Sequence, residues 1–112
     1  MAFFFCRLVA PRATFPGDMT PREAEAMHAH AAYWQGALGR TVLAVGPVLD
    51  PAGAWGLGLI SVADAGEAQA FTQADPVAAA GLGFRYEIHP MPQLSLAPAA
   101  APVPATSPIP AQ

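Results

Sequence analysis

Proline sets the outline of this chain. Thirteen prolines in 112 residues fix φ and remove a backbone donor wherever they fall, so the elements between them must be short. Pro11, Pro16, Pro21, Pro47, Pro51, Pro76 and Pro90 cut the first 91 residues into pieces of strand or helix length. Pro92, Pro98, Pro102, Pro104, Pro108 and Pro110 follow among alanines, without charge or periodicity. The expected organisation is one domain over residues 1–91 and a Pro/Ala-rich disordered tail over residues 92–112. A chain of this length has room for a single core.

Each piece has a local signature. Ala2 to Ala10 is a phenylalanine-rich apolar run closed by Pro11, which predicts a buried strand. Pro16-Gly17-Asp18 marks a loop. Thr20-Pro21-Arg22-Glu23 is a capping box that opens a helix. On that helix Met27, His30, Ala31, Trp34 and Leu38 recur at three- and four-residue steps, defining the face expected to pack on a sheet. Gly39 stops it, Thr41 to Val45 is a second strand ended by Gly46-Pro47, and Asp50-Pro51-Ala52-Gly53 predicts a tight reversal into a third strand, Trp55 to Val62. Asp64-Ala65-Gly66-Glu67 caps a second helix that runs to about Gln73 and buries Ala68, Phe71 and Thr72. Asp75-Pro76 begins a short turn ending at Gly81. Leu82, Phe84, Tyr86 and Ile88 then alternate with Gly83, Arg85, Glu87 and His89 in a last strand closed by Pro90.

This order predicts an α+β fold, ferredoxin-like βαββαβ, with an antiparallel sheet and two helices on one face. The first strand turns Phe3, Phe5 and Val9 to one side and Phe4, Cys6 and Leu8 to the other. The third sets Trp55, Leu57 and Leu59 opposite Ile60 and Val62. Two short helices bury only one apolar face, so a homodimer packed through the other sheet face is expected. The competing arrangement is a monomer whose tail crosses that face.

Charge and composition exclude several classes of function. The net charge is −3, and the five basic residues, Arg7, Arg12, Arg22, Arg40 and Arg85, are scattered along the chain. They form no footprint for a phosphate backbone, so no nucleic acid partner is expected. Arg7 interrupts the opening apolar run short of the ~7–15 residues of a signal-peptide core, and no stretch reaches membrane-spanning length. The expected location is the cytoplasm, away from membranes, where the single cysteine, Cys6, serves as a small buried residue. No CxxC, HExxH, GxSxG, Walker or GxGxxG motif occurs, so neither a metal nor an organic cofactor is expected.

His30 is a candidate site residue because its helical phase takes an imidazole off the solvent face, although a hydrogen-bonded core histidine needs no function. Asp75 is a second, and capping of the turn at Pro76 would explain it equally. Tyr33, Trp34 and Trp55 suit the core or an interface as well as a ligand. Arg85 can hold an anionic group or pair with Glu87 on the same strand face. His28 and His89 fall on exposed or terminal positions.

His30-Ala31-Ala32-Tyr33-Trp34, Gly46-Pro47-Val48-Leu49-Asp50-Pro51-Ala52-Gly53, Asp75-Pro76 and Gly81-Leu82 with Tyr86-Glu87-Ile88 together resemble the YCII-related family over nearly the whole domain. The resemblance implies a ferredoxin-like fold that dimerises into an α+β barrel, and a catalytic pair formed by His30 and Asp75. Tyr33, Trp34, Pro47 and, more weakly, Arg85 are the expected substrate contacts. One family member resembles a dehydrochlorinase acting on chlorinated hydroquinones. The expected activity is therefore a cofactor-independent proton transfer of lyase or isomerase type, on a small aromatic or carbonyl-containing substrate such as a phenol or a lactone. In it Asp75 orients His30 as general acid or base. The alternatives are a non-catalytic dimeric module that binds a small ligand or a protein, and a tail that recruits a proline-binding partner.

Overall fold

The computed structural model describes residues 1–98. Its elements run β1 (Ala2–Val9), α1 (Pro21–Ala37), β2 (Val42–Val48), β3 (Trp55–Val62), α2 (Ala65–Gln73), α3 (Pro76–Ala79) and β4 (Arg85–Met91). The strands form one antiparallel sheet in the order β2-β3-β1-β4, and the helices pack on one of its faces. This is the ferredoxin-like α+β arrangement. The expectation of a tail over residues 92–112 lies, beyond residue 98, outside the described residues.

Local chemistry explains where the helices begin. Thr20 Oγ1 accepts from the Glu23 N–H at 3.1 Å, and the Glu23 carboxylate accepts from the Thr20 N–H at 2.9 Å, which completes the capping box. Arg12 adds a clasp from the preceding loop. Its guanidinium donates to both oxygens of Glu23 at 2.7 Å and to Asp18 at 2.9 Å, and these bonds hold the Glu23 carboxyl down at about 2. The loop that carries Phe15 and Met19 is thereby tied to the start of α1. Asp64 and Asp75 cap α2 and α3 in the same manner, through the N–H groups of Glu67 and Val77. Gly39, at φ 86°, supplies the left-handed residue after α1.

The inner sheet face buries Phe4 and Cys6 of β1 and Ile60 and Val62 of β3 against Trp34, Ala37 and Ala68. A second cluster of Leu8, Phe15, Ala26, Val77 and Phe84 closes the other end. Burial pushes the Cys6 thiol up to about 12, so it stays protonated as a core residue. The opposite face carries half-buried Phe3, Phe5, Arg7, Trp55, Leu57 and Leu59, and no helix among the described residues covers it.

Three expectations need correction. Gly46-Pro47 and Pro90 do not end their strands: Pro47 pairs with Gly56 inside β2, and Pro90 with Phe4 inside β4. Both strands are sheet edges, where a missing N–H leaves no ladder bond broken. The last strand starts at Arg85 rather than Leu82, because Gly83 at φ 93° is still in the turn. On α1 the buried stripe runs through Glu23, Ala26, Trp34 and Ala37, while Ala31 and Leu38 are exposed. Alanine is spread all round this helix, so its apolar pattern carries little phase information.

Candidate active site

The site begins with the burial of a charge. Asp75 is fully inaccessible (0 % exposed), and a carboxylate there must be satisfied by the groups around it. Four donors converge on it. Oδ1 accepts from the Val77 N–H at 3.0 Å. Oδ2 lies 2.7 Å from His30 Nδ1, accepts from Trp34 Nε1 at 2.8 Å and accepts from the Tyr86 hydroxyl. Burial opposes the charge, yet the bonds from His30, Tyr86 and Val77 outweigh it and hold the carboxyl below the usual carboxylate range. The same burial, reinforced by the hydrogen bond to Asp75, pushes the Tyr86 phenol up, so its proton stays on the oxygen.

Three elements bring these groups together. His30 and Trp34 are one turn apart on α1, Asp75 caps α3, and Tyr86 rises from the inner face of β4, where it pairs with Leu8. An ionised Asp75 cannot donate, so the proton in its contact with His30 belongs to Nδ1. The lone pair of the neutral ring is then on Nε2, which has no protein partner among the described residues. The His30 side chain is 13 % exposed and lines a cavity of about 360 Å³ between α1 and the sheet. The rest of the wall is chiefly apolar, with Leu8, Met27, Val45, Pro47 and Phe84 prominent. Gly56 and Gly58 on β3 also line it, and the bare backbone of Gly58 is what lets the Trp34 indole lie against the inner sheet face there.

Residues 3–92 match the sequence model of the YCII-related domain. This chain belongs to the YCII-related family. No curated protein matches it. The match spans every element of this YCII-related domain, from β1 to the end of β4, and includes both His30 and Asp75.

Of the four expected substrate contacts, Trp34 and Pro47 line the cavity of the YCII-related domain. Tyr33 does not: its hydroxyl donates to the Phe71 carbonyl at 2.7 Å and its ring packs on Phe71. Arg85 is on the outer sheet face, 3.1 Å from Glu87, because a period of two sends residue 85 to the side opposite Tyr86. His28 is exposed, and His89 stacks on Phe5 on that outer face. Two members of the site escaped the sequence reading. Tyr86 was legible as an inward residue, and the signal for more is that a buried phenol needs a partner for its hydroxyl. Gly58 was legible as a glycine inside a strand, which often marks the close approach of another group.

Proposed function

We propose that residues 1–91 act as a cytoplasmic, homodimeric acid–base enzyme that needs no cofactor and performs a proton transfer of lyase or isomerase type on a small aromatic or carbonyl-containing molecule. The observation that carries this reading is the 2.7 Å contact between His30 Nδ1 and a fully buried Asp75 carboxylate at the wall of a cavity. His30 Nε2 takes a proton from a weakly acidic O–H or C–H of the substrate, and the electron pair stays on the substrate. Isomerisation follows when Nε2 returns the proton to another atom. Elimination follows when the pair forms a new π bond and a leaving group departs as an anion. In both, Asp75 stabilises the imidazolium, and Trp34 and Pro47 position the substrate.

The test is a screen of phenols and enolisable carbonyl compounds in D2O, reading deuterium incorporation at carbon. Exchange with the wild-type chain and none above background with His30→Ala is the expected result. Equal exchange by both proteins on every active compound would sink the reading.

A second reading draws support from the four donors on Asp75 and its cap on α3, which already account for its burial. In it the domain binds a ligand without chemistry. His30→Ala then lowers the denaturation midpoint, whereas a base held in a pocket is removed with little loss or with a gain in stability.

Dimerisation through the outer sheet face is supported by its apolar residues and by Arg7. The Arg7 guanidinium lies 4.7 Å from the centre of the Trp55 ring, and its Nε is buried without a hydrogen-bond partner. Light scattering should give about twice the 11.5 kDa chain mass. A monomer at micromolar concentration would contradict it. The cytoplasm is proposed because a free thiol such as Cys6 persists there; no helix among the described residues is long and apolar enough to cross a membrane.

A further inference from the structure

We infer that the cavity beside His30 admits uncharged ligands and rejects anions, so the substrate enters as a neutral, largely apolar molecule and is ionised only by His30. This deepens the acid–base reading and rests on it.

The basis is where the positive charge of the chain goes. The chain has five arginines and no lysine, and no arginine lines the cavity. Arg7 and Arg85 lie on the outer sheet face beside Glu87. Arg12 is held between Asp18 and Glu23. Arg40 bonds back to the Gly36 carbonyl at the end of α1, and Arg22 is exposed in its first turn.

The fixed charge next to the cavity is negative. It is the carboxylate of Asp75, and the two side-chain donors that reach it besides His30, Trp34 Nε1 and the Tyr86 hydroxyl, are both spent on it. An anion entering this chiefly apolar space would give up its hydration, meet no fixed cation and approach a like charge. Protonation of His30 does not reverse this, because the imidazolium and Asp75 together carry no net charge. A neutral ligand meets none of these penalties and gains from burial against Met27, Trp34 and Pro47.

Absence of a cation also bears on the chemistry. Negative charge developing on the substrate has no arginine or lysine to stabilise it, so the substrate must spread that charge over its own π system. Phenols and conjugated carbonyl compounds do this, whereas simple esters and phosphates do not. The volume of about 360 Å³ is more than twice the ~150 Å³ of an apolar cavity that takes benzene, which leaves room for two fused rings.

The probes are therefore 2-naphthol and 2-naphthoate, which share a ring system and at pH 7 differ in charge. Their dissociation constants are measured by calorimetry on the full chain, on His30→Ala and on Met27→Lys, which adds a cation to the cavity wall one turn before His30. Naphthol is expected to bind the wild-type chain at least about tenfold more tightly than naphthoate. The preference should persist in His30→Ala, since it does not depend on the base, and should shrink or invert in Met27→Lys. Equal affinities, tighter naphthoate, no binding of naphthol, or a ratio untouched by a folded Met27→Lys would each overturn the inference. Charge preference without deuterium exchange would retain this selectivity and reject the acid–base reading, so the two fail separately.

Discussion

Replacing Asp75 by asparagine is expected to lower turnover by roughly 10² to 10⁴ while the chain stays folded. Asparagine has the same shape and caps a helix as well as aspartate, so the bond from the Val77 N–H to Oδ1 survives. The loss falls on the other side of the group. An amide nitrogen in place of Oδ2 is itself a donor, and it meets the donors His30 Nδ1, Trp34 Nε1 and Tyr86. Tyr86 can rotate its hydroxyl to accept, and His30 can move its proton to Nε2, but the indole N–H has no such freedom. Moving that proton removes the lone pair that faces the cavity, and with it the base.

Ring nitrogen chemical shifts report this directly. The neutral wild-type ring should carry its proton on Nδ1, and the Asp75→Asn ring on Nε2. The indole, which keeps only its 2.9 Å bond to the Tyr86 hydroxyl oxygen, and the donors crowded against the amide should together cost about 1–3 kcal/mol, which a domain with a typical stability of roughly 5–15 kcal/mol survives. The pH dependence has a fixed sign. Because the Asp75 carboxyl is held below its usual range, its ionised form stabilises the fold above the ordinary aspartate value of about 3.9, and that contribution is lost as pH falls through the folded value. The asparagine variant lacks this contribution, so its denaturation midpoint should fall less on acidification below about pH 4. An unchanged tautomer together with unchanged turnover would remove Asp75 from the chemistry.

Features set by a few neighbouring residues were legible in the sequence, and those set by distant partners were not. The capping box at Thr20, the N-cap at Asp64, the reversal at Asp50 to Gly53 and the limits of β3 follow from local chemistry, and the structure has them there. Strand ends at Pro47 and Pro90 depend on which strands are edges. That is a property of the sheet order, and a proline alone does not reveal it. His30 and Asp75 stood out as titratable groups in unusual positions, yet nothing local puts one near the other at a separation of 45 positions. Tyr86 and Arg85 show the same limit. Alternation separates their faces, but only the packed sheet decides which face meets the helices and which is left open.

Gly58→Ala is expected to destabilise the fold by roughly 2–5 kcal/mol, a large effect for the addition of one methyl group. Gly58 lies mid-strand opposite Cys6 of β1 and Val45 of β2, at a backbone conformation open to any residue. On strand propensity alone alanine should help. The space above it decides otherwise: a Cβ at Gly58 would fall on Cη2 and Cζ3 of Trp34, well inside 3.0 Å. The indole is 2 % exposed and hemmed in by Phe71 and Tyr86. Its one direction of retreat is into the cavity, which it would then partly fill. Retreat withdraws Nε1 from Asp75 and leaves a buried carboxylate short of a donor, so overpacking and lost hydrogen bonding add.

A double-mutant cycle separates the two. Trp34→Phe alone keeps an aromatic ring over the glycine but loses the donor. Combined with Gly58→Ala, the smaller ring accommodates the methyl, so the double variant should be more stable than the sum of the single losses. Chemical denaturation of the four proteins gives the coupling, and naphthol binding gives the state of the cavity: weakened in Gly58→Ala and restored in part in the double variant. Additive losses would mean that the indole does not rest on Gly58, and an empty, unaltered cavity in Gly58→Ala would mean that it does not retreat there.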